Sequence, residues 1–278
     1  MRRYLPVLAI LLLLVTGAVR AETRVTTDHL RLTFDDRGQL QVAIACFPSC
    51  SGEVARIQQF GDAGVVTFDN PAGTAWKLSE QRKKNHHELL FQSTNGELRR
   101  WQIPVHGYRL ALRTTGRAAL NLSSGESFRP RPAAGFGNWL EQSRYVMFEA
   151  GSVNQVGFDA EPDEASAGLQ TDSWVGYRNR YWTLLARPAQ PVDVRLQTAA
   201  TQQDASIVLD SPPSLDWLIY LGPVEPKVLK AADAELPSLM YAALWFWLRW
   251  ICFGMFHLLA WIQAVLPSWG LAVMVMSL

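Results

Sequence analysis

The sequence predicts a mainly β protein: an antiparallel β-sandwich with a signal-anchor helix before it and apolar helices after it. Three observations lead there. From Arg24 to about Pro223, short alternating apolar runs recur between Gly, Pro and Asn turns. In front, Arg2 and Arg3 precede an apolar run from Leu5 to Val19. Behind, Ser238–Leu278 holds one Arg, one His, one Gln, no acid and no Lys, in a chain of 18% charged residues.

The N-terminal pattern is that of an export signal: a basic start, a short hydrophobic run and the small-residue exit Val19-Arg20-Ala21. Residues 1–21 are therefore a cleaved signal peptide or a retained signal anchor. The two arginines hold the start of the chain in the cytoplasm, which places the following domain on the outer side of a bacterial inner membrane, in the periplasm.

Residues 24–236 form the β-rich domain. Leu30, Leu32 and Phe34 alternate, Asp35-Asp36-Arg37-Gly38 turns the chain, and Leu40, Val42 and Ile44 alternate again, which predicts a hairpin. Leu89 and Phe91 lead through Asn95-Gly96 to Leu98 and Trp101. Further runs fall at Val65–Phe68, Tyr108–Leu112, Val192–Leu196, Ile207–Leu209 and Leu215–Leu221. Many short strands over about 200 residues argue a single antiparallel sandwich. Ser123–Gly137 and the acidic stretch Gly157–Gly168 read as long loops, with Asp159, Glu161, Asp163 and Glu164 as a solvated loop face. A short helix is expected from Glu225 to Ala234, cut off by Pro237.

Residues 238–266 read as an amphipathic helix. At 100° per residue, Ser238, Gln263, Arg249 and His257 share an arc of about 120°, and the remainder is apolar, Gly or aromatic. Of the eleven Trp in the chain, Trp245, Trp247, Trp250, Trp261 and Trp269 gather here, as they do where acyl chains meet headgroups. This predicts a helix lying in the membrane interface, with Trp245, Trp247, Arg249, Trp250, His257, Trp261 and Trp269 as its interface residues. A tilted transmembrane span is the competing reading. After Pro267-Ser268 a fresh apolar run begins. Residues 269–278 are expected to open a transmembrane helix that the chain leaves truncated, since they would rise only about 15 Å of a core about 30 Å thick.

The net charge of +1 gives no footprint for nucleic acid. Cys46 and Cys50 in CFPSC either form a small disulfide or sit reduced at a turn. Two more ligands for a zinc site are lacking nearby, and Cys252 reads as a small hydrophobe. His86-His87-Glu88 opens a strand, which sends the two imidazoles to opposite faces and suggests solvated edge residues rather than a shared metal. No phosphate loop or nucleophile elbow is present, so no catalytic residue, cofactor or metal is expected.

Several stretches together resemble YidC-type membrane protein insertases of the Oxa/Alb superfamily. Trp261-Ile262-Gln263 and Ser268-Trp269-Gly270 resemble that family's interfacial helix and the entry to its first core transmembrane helix. Ser173-Trp174-Val175-Gly176 with Arg180-Tyr181-Trp182 and Ala186-Arg187-Pro188 resembles a strand pair of its periplasmic domain. Tyr220-Leu221-Gly222-Pro223 before Val228-Leu229-Lys230 resembles its Tyr-Leu-Gly-Pro segment. The family-motif positions are thus Trp174, Gly176, Tyr181, Trp182, Gly222, Pro223, Trp269 and Gly270. Gln263 and Ser268 depart from the family's usual His and Asn.

The resemblance implies a supersandwich-like domain and an insertase or chaperone without covalent chemistry. It implies as partners the lipid bilayer, nascent membrane proteins and, as a further candidate, the Sec translocon. It also places the family's functional Arg a few residues beyond Leu278 and leaves the remaining core helices absent, so the chain as given is expected to be incomplete and to lack the insertase groove. The alternative is a membrane-anchored sandwich that binds carbohydrate, peptide or a translocon partner. It would need a concave sheet face with exposed aromatics, for which Trp76, Trp101, Trp139 and Trp182 are the candidates.

Overall fold

The computed structural model describes residues 22–278 except 53–54, 62–63, 70–73, 117–118, 126–127, 129–142, 150–151, 158–165, 198–205, 211, 242–245, 266–267, 269, 272–273 and 276–278. The expected signal segment 1–21, Trp139, Trp245, Trp269 and the four acids of the 157–168 stretch lie outside the described residues.

Eighteen strands run in chain order through the described residues. They are β1 (Thr23–Thr26), β2 (Leu30–Phe34), β3 (Leu40–Phe47), β4 (Arg56–Phe60), β5 (Val66–Phe68), β6 (Trp76–Arg82), β7 (His86–Ser93), β8 (Leu98–Pro104) and β9 (Arg109–Thr115). β10 (Leu120–Ser123), β11 (Arg144–Glu149), β12 (Ser152–Gly157), β13 (Ser166–Leu169), β14 (Val175–Arg178), β15 (Trp182–Pro188), β16 (Val192–Gln197), β17 (Ser206–Asp210) and β18 (Ser214–Pro223) follow. Helix α1 (Pro226–Ala232), a 3-10 helix (Leu236–Tyr241) and helix α2 (Phe246–Val265) complete the order.

The strands form two sheets of nine. The first runs β1-β2-β3-β5-β10-β17-β16-β13 with β4 on β3, and the second runs β12-β11-β14-β15-β18-β9-β8-β7-β6. The paired strands are antiparallel. Bulky side chains from both sheets share one buried core that includes Trp101, Trp174, Trp217, Phe34 and Phe60. Cross-sheet hydrogen bonds fix the two layers. Trp101 Nε1 donates to the Gly38 carbonyl at 2.9 Å, Tyr177 Oη to Leu122 at 2.9 Å and Tyr108 Oη to Cys46 at 2.7 Å. Arg99, 3% exposed, is clamped between the Phe68 and Trp76 rings and donates to the Arg37 carbonyl. Burial lowers its pKa to about 10.

The two hairpins form with the pairs Leu30↔Ala45 and His86↔Pro104. Asp35 organises the first turn, accepting from the Arg37 and Gln39 amides at 2.9 and 2.8 Å. One detail departs from the alternation read in the sequence. A register shift between Thr33 and Phe34 turns Ala43 and Ala45 inward and leaves Val42 and Ile44 half-buried. The expected loop over Gly157–Gly168 is also partly strand, because Ser166–Leu169 pairs with β16.

The helix expected from Ser238 starts later. Pro237 lacks an amide donor, and Leu236 and Leu239 are fully buried in the core, so this stretch is pinned as a 3-10 turn of the sandwich. Ser238 Oγ donates to the Glu235 carbonyl rather than facing a helix partner. The chain leaves the domain only after Leu239. Among the described residues no helix is long and apolar enough to cross a membrane.

Candidate functional site

Among the described residues, helix α2 presents the most exposed apolar surface. Ile251, Met255, Leu258, Trp261 and Val265 are each about half exposed or more, reaching 69% at Trp261 and 73% at Val265. At 100° per residue these five fall within about 120° of one another, opposite Arg249 and Gln263. Ordinary surface helices put such a stripe against a core; here it faces outward. His257 is exposed. Trp247, Arg249 and Trp250 lie on the helix backbone of α2, and Gly270 on a short helical stretch after it.

The family-motif residues of the domain lie on β14, β15 and β18 of the second sheet or, for Trp174 and Tyr181, immediately before β14 and β15. Gly176 faces Leu185 in the β14–β15 register, and a Cβ there would meet the Leu184 carbonyl oxygen at 2.0 Å and Leu185 Cα at 2.8 Å. A Cβ on Gly222 would strike Tyr108 Cγ and Tyr220 Oη, both at 2.8 Å. Tyr220 Oη donates to the Pro223 carbonyl at 2.8 Å, and Pro223 faces Trp182 across the β15–β18 pair. Trp174 is buried under the Arg187 guanidinium, 5.1 Å from its ring. Trp182 is buried, whereas Tyr181 is 54% exposed. Apart from the exposed Tyr181, these are packing positions that hold backbones close.

Sequence reading missed what ties this sheet to α2. Three arginines on the second sheet grip the stretch from the last residue of α1 into the 3-10 helix. Arg109 of β9 donates to the Ala232 carbonyl at 2.7 Å, and Arg178 of β14 to the Leu239 carbonyl at 2.6 Å. Arg187 of β15 pairs with Asp233 at 2.7 Å. Burial lowers the Arg178 pKa to about 10. These contacts span separations of 61, 123 and 46 residues, so no local pattern could have signalled them.

Two of the clefts on the domain are lined by described residues. One, of ≈ 480 Å³, lies over the outer face of β8, β9 and β18 and carries Arg100, Gln102, Arg113, Arg187 and Asp216. Its charges are matched: Arg100 meets Glu88 at 3.3 Å and Arg113 meets Asp216 at 3.6 Å. The aromatic in its wall, Trp217, is 1% exposed. Trp101 and Trp182 are buried in the domain, and Trp76 is covered by Arg99, so they build no exposed platform for a sugar ring. The other cleft, of ≈ 440 Å³, lies between α1, the β8–β9 turn and the Phe47-Pro48 step.

His86, His87 and Glu88 alternate across β7 as expected, but they are not solvated. His87 is 6% exposed, and burial, with Arg82 nearby, lowers its pKa. Glu88 is held by Lys83 and Arg100, and the Lys83 hydrogen bond lowers its carboxyl pKa. Among the described residues no three His, Cys, Asp or Glu come together as metal ligands. Cys46 and Cys50 are joined as a disulfide with Cα atoms 4.9 Å apart, and Cys252 is a free, half-buried thiol on α2.

No family model matches the sequence. Two curated proteins do, both described as membrane protein insertase YidC, from Bordetella pertussis and Bordetella bronchiseptica. Each is 22% identical to this chain over 307 aligned positions, covering 91% of the chain and 52% of the relative. The chain thus spans about half the length of the curated relatives it matches. Among solved structures, the crystal structure of HI1317 aligns with 72% of this chain and 91% of its own, at 10% identity and a TM-score of 0.38. The fold assignment rests on the strand pairing itself. By sequence, the chain is similar to YidC insertases, distantly and over nearly all of its length.

Proposed function

We propose that this chain is part of a YidC-type insertase that aids insertion and folding of bacterial inner-membrane proteins. In this reading residues 1–21 anchor the chain, the periplasmic sandwich runs from 24 through the 3-10 turn ending at Tyr241, helix α2 (Phe246–Val265) lies in the membrane interface and 269–278 enter the bilayer. Its partners are the lipid bilayer and nascent membrane proteins, with the Sec translocon as a further one. No covalent chemistry is needed, because a polar path through the membrane lowers the cost of moving polar groups into hydrocarbon.

The observation that carries the reading is the outward apolar stripe of α2, and the similarity to YidC insertases supports it. Each fully buried Leu- or Met-sized side chain is worth about 1.5–3 kcal/mol, so a five-residue stripe is a strong membrane ligand. The test is depletion and rescue. In cells depleted of their own insertase, the protein expressed from its complete reading frame should restore protease protection of a multispanning reporter. Leu258→Asp with Met255→Asp should weaken rescue and lift α2 out of the interface, read as loss of Trp261 fluorescence quenching by lipid-borne quenchers, while the anchor keeps the protein membrane-bound. Unchanged quenching in that variant, or no rescue by the unaltered protein at wild-type abundance, would sink the proposal.

A further inference from the structure

The cleft beside α1 has walls and charges of different kinds. Its volume, ≈ 440 Å³, lies within the ~300–1,000 Å³ of small-ligand pockets. Phe47, Pro48, Pro104 and Val228 make its walls apolar. Its charged and titratable linings, apart from two tyrosines, are Arg109, Lys227, His29 and His106, and no carboxylate lines it. His106 Nδ1 meets Asp28 at 2.6 Å. His29 stacks on the Tyr108 ring at 4.9 Å with its Nδ1 buried and without a hydrogen-bond partner.

Hydrogen bonding narrows the guest further. Tyr108 Oη already donates to Cys46 and Tyr220 Oη to Pro223, so neither hydroxyl proton is available to a ligand. Arg109 spends one N–H on Ala232. Lys227 is exposed and makes no ion pair among the described residues. Arg109 and Lys227, both exposed and with no carboxylate in the lining, make the mouth of the cleft positive and favour an anion, while its apolar walls favour a guest with a carbon body. An anion with an apolar body satisfies both.

We propose that this cleft binds the phosphate headgroup of an anionic phospholipid, with its glycerol and first acyl carbons against Phe47, Pro48 and Val228. The anion preference stands on the cleft alone. The lipid as source rests on the reading of α2 as a membrane-facing helix, because α1 runs on through one 3-10 turn and a short connector to that helix.

The test uses the full chain in phosphatidylcholine nanodiscs with and without phosphatidylglycerol, following the His29 imidazole resonances. A second signal, the fluorotryptophan resonance of Trp261, reports whether α2 meets lipid. Phosphatidylglycerol should shift His29 saturably. Lys227→Glu and Ala231→Trp, both at exposed positions of α1, should each weaken that response about tenfold. A silent His29 with Trp261 in lipid overturns the cleft proposal and leaves the reading of α2 standing. Inorganic phosphate shifting His29 as strongly as the lipid overturns the lipid assignment. A Trp261 signal insensitive to lipid overturns the reading of α2 itself.

Discussion

Replacing Gly176 by Ala asks whether the tightest backbone approach in the second sheet is structural. The added Cβ would sit 2.0 Å from the Leu184 carbonyl oxygen and 2.8 Å from Leu185 Cα. Both obstacles are backbone, so no rotamer change can relieve them. Reaching even a 3.0 Å contact requires a local separation of 1.0 Å between β14 and β15. That strains the Gly176↔Leu185 pair and disturbs the adjacent Trp174 packing. Overpacking of this kind costs about 1–3 kcal/mol, and one weakened ladder hydrogen bond adds about 1. We expect a loss of about 2–4 kcal/mol, or about 5–15 °C in Tm for a domain of this size. Gly168→Ala on β13 is the control, since a Cβ there meets nothing within 4 Å. Chemical denaturation of both variants, followed by near-UV circular dichroism, measures the difference. If Gly176→Ala falls within about 0.5 kcal/mol of Gly168→Ala, the packing argument is wrong.

Further expectations concern the joints of the sandwich. Arg178→Met removes a charge-assisted bond to the Leu239 carbonyl worth about 1.5–3 kcal/mol. Hydrogen exchange should quicken over Leu236–Tyr241 while the central strands stay protected; uniform slowing or no change would refute the clasp. Cys50→Ser opens a loop of sequence separation 4, and the chain-entropy relation gives a loss of about 2 kcal/mol, readable as a lower denaturation midpoint that reductant no longer affects. His87 carries a pH dependence of definite sign. Burial depresses its folded pKa, so the unfolded chain takes up the proton first. The stability it allows is full above about pH 6.5 and is lost as pH falls through that value toward the folded pKa. His87→Leu should flatten that slope, and an unchanged slope would locate the titration elsewhere.

Much of the sandwich was legible because its signals are local. Asn95-Gly96 marks its hairpin, and alternation at Leu30, Leu32 and Phe34 names an inward face that is buried. Alternation failed at Val42 and Ile44 because one register shift inverts every later side chain on a strand of period two. His87 was misread as solvated because a neighbouring strand, not its own sequence, determines its burial. Ser238 was assigned to the amphipathic helix on its angular position alone. The burial of Leu236 and Leu239 outweighs that angle, and only the packed core reveals it.

The motif glycines and the arginines have complementary effects on α2. Gly176 and Gly222 bring β14, β15, Tyr108 at the entry to β9 and Tyr220 of β18 into close approach. That approach places Arg109, Arg178 and Arg187 where three separate strands reach the same short segment, Ala232–Leu239. A segment held from three strands cannot pivot about any one of them. The point at which the chain leaves the sandwich, at the end of the 3-10 turn, is therefore set by these three strands. A hinge-like role for Ser238–Tyr241 would require these bonds to break together, at a combined cost of several kcal/mol. Lengthening the connector after Tyr241 with Gly and Ser leaves the clasp intact, whereas replacing Arg109 and Arg178 together loosens it. If the sandwich fixes where the chain departs, the double arginine variant should broaden the distance distribution between a spin label on β15 and one at Ser238, whereas the insertion should leave that distribution unchanged.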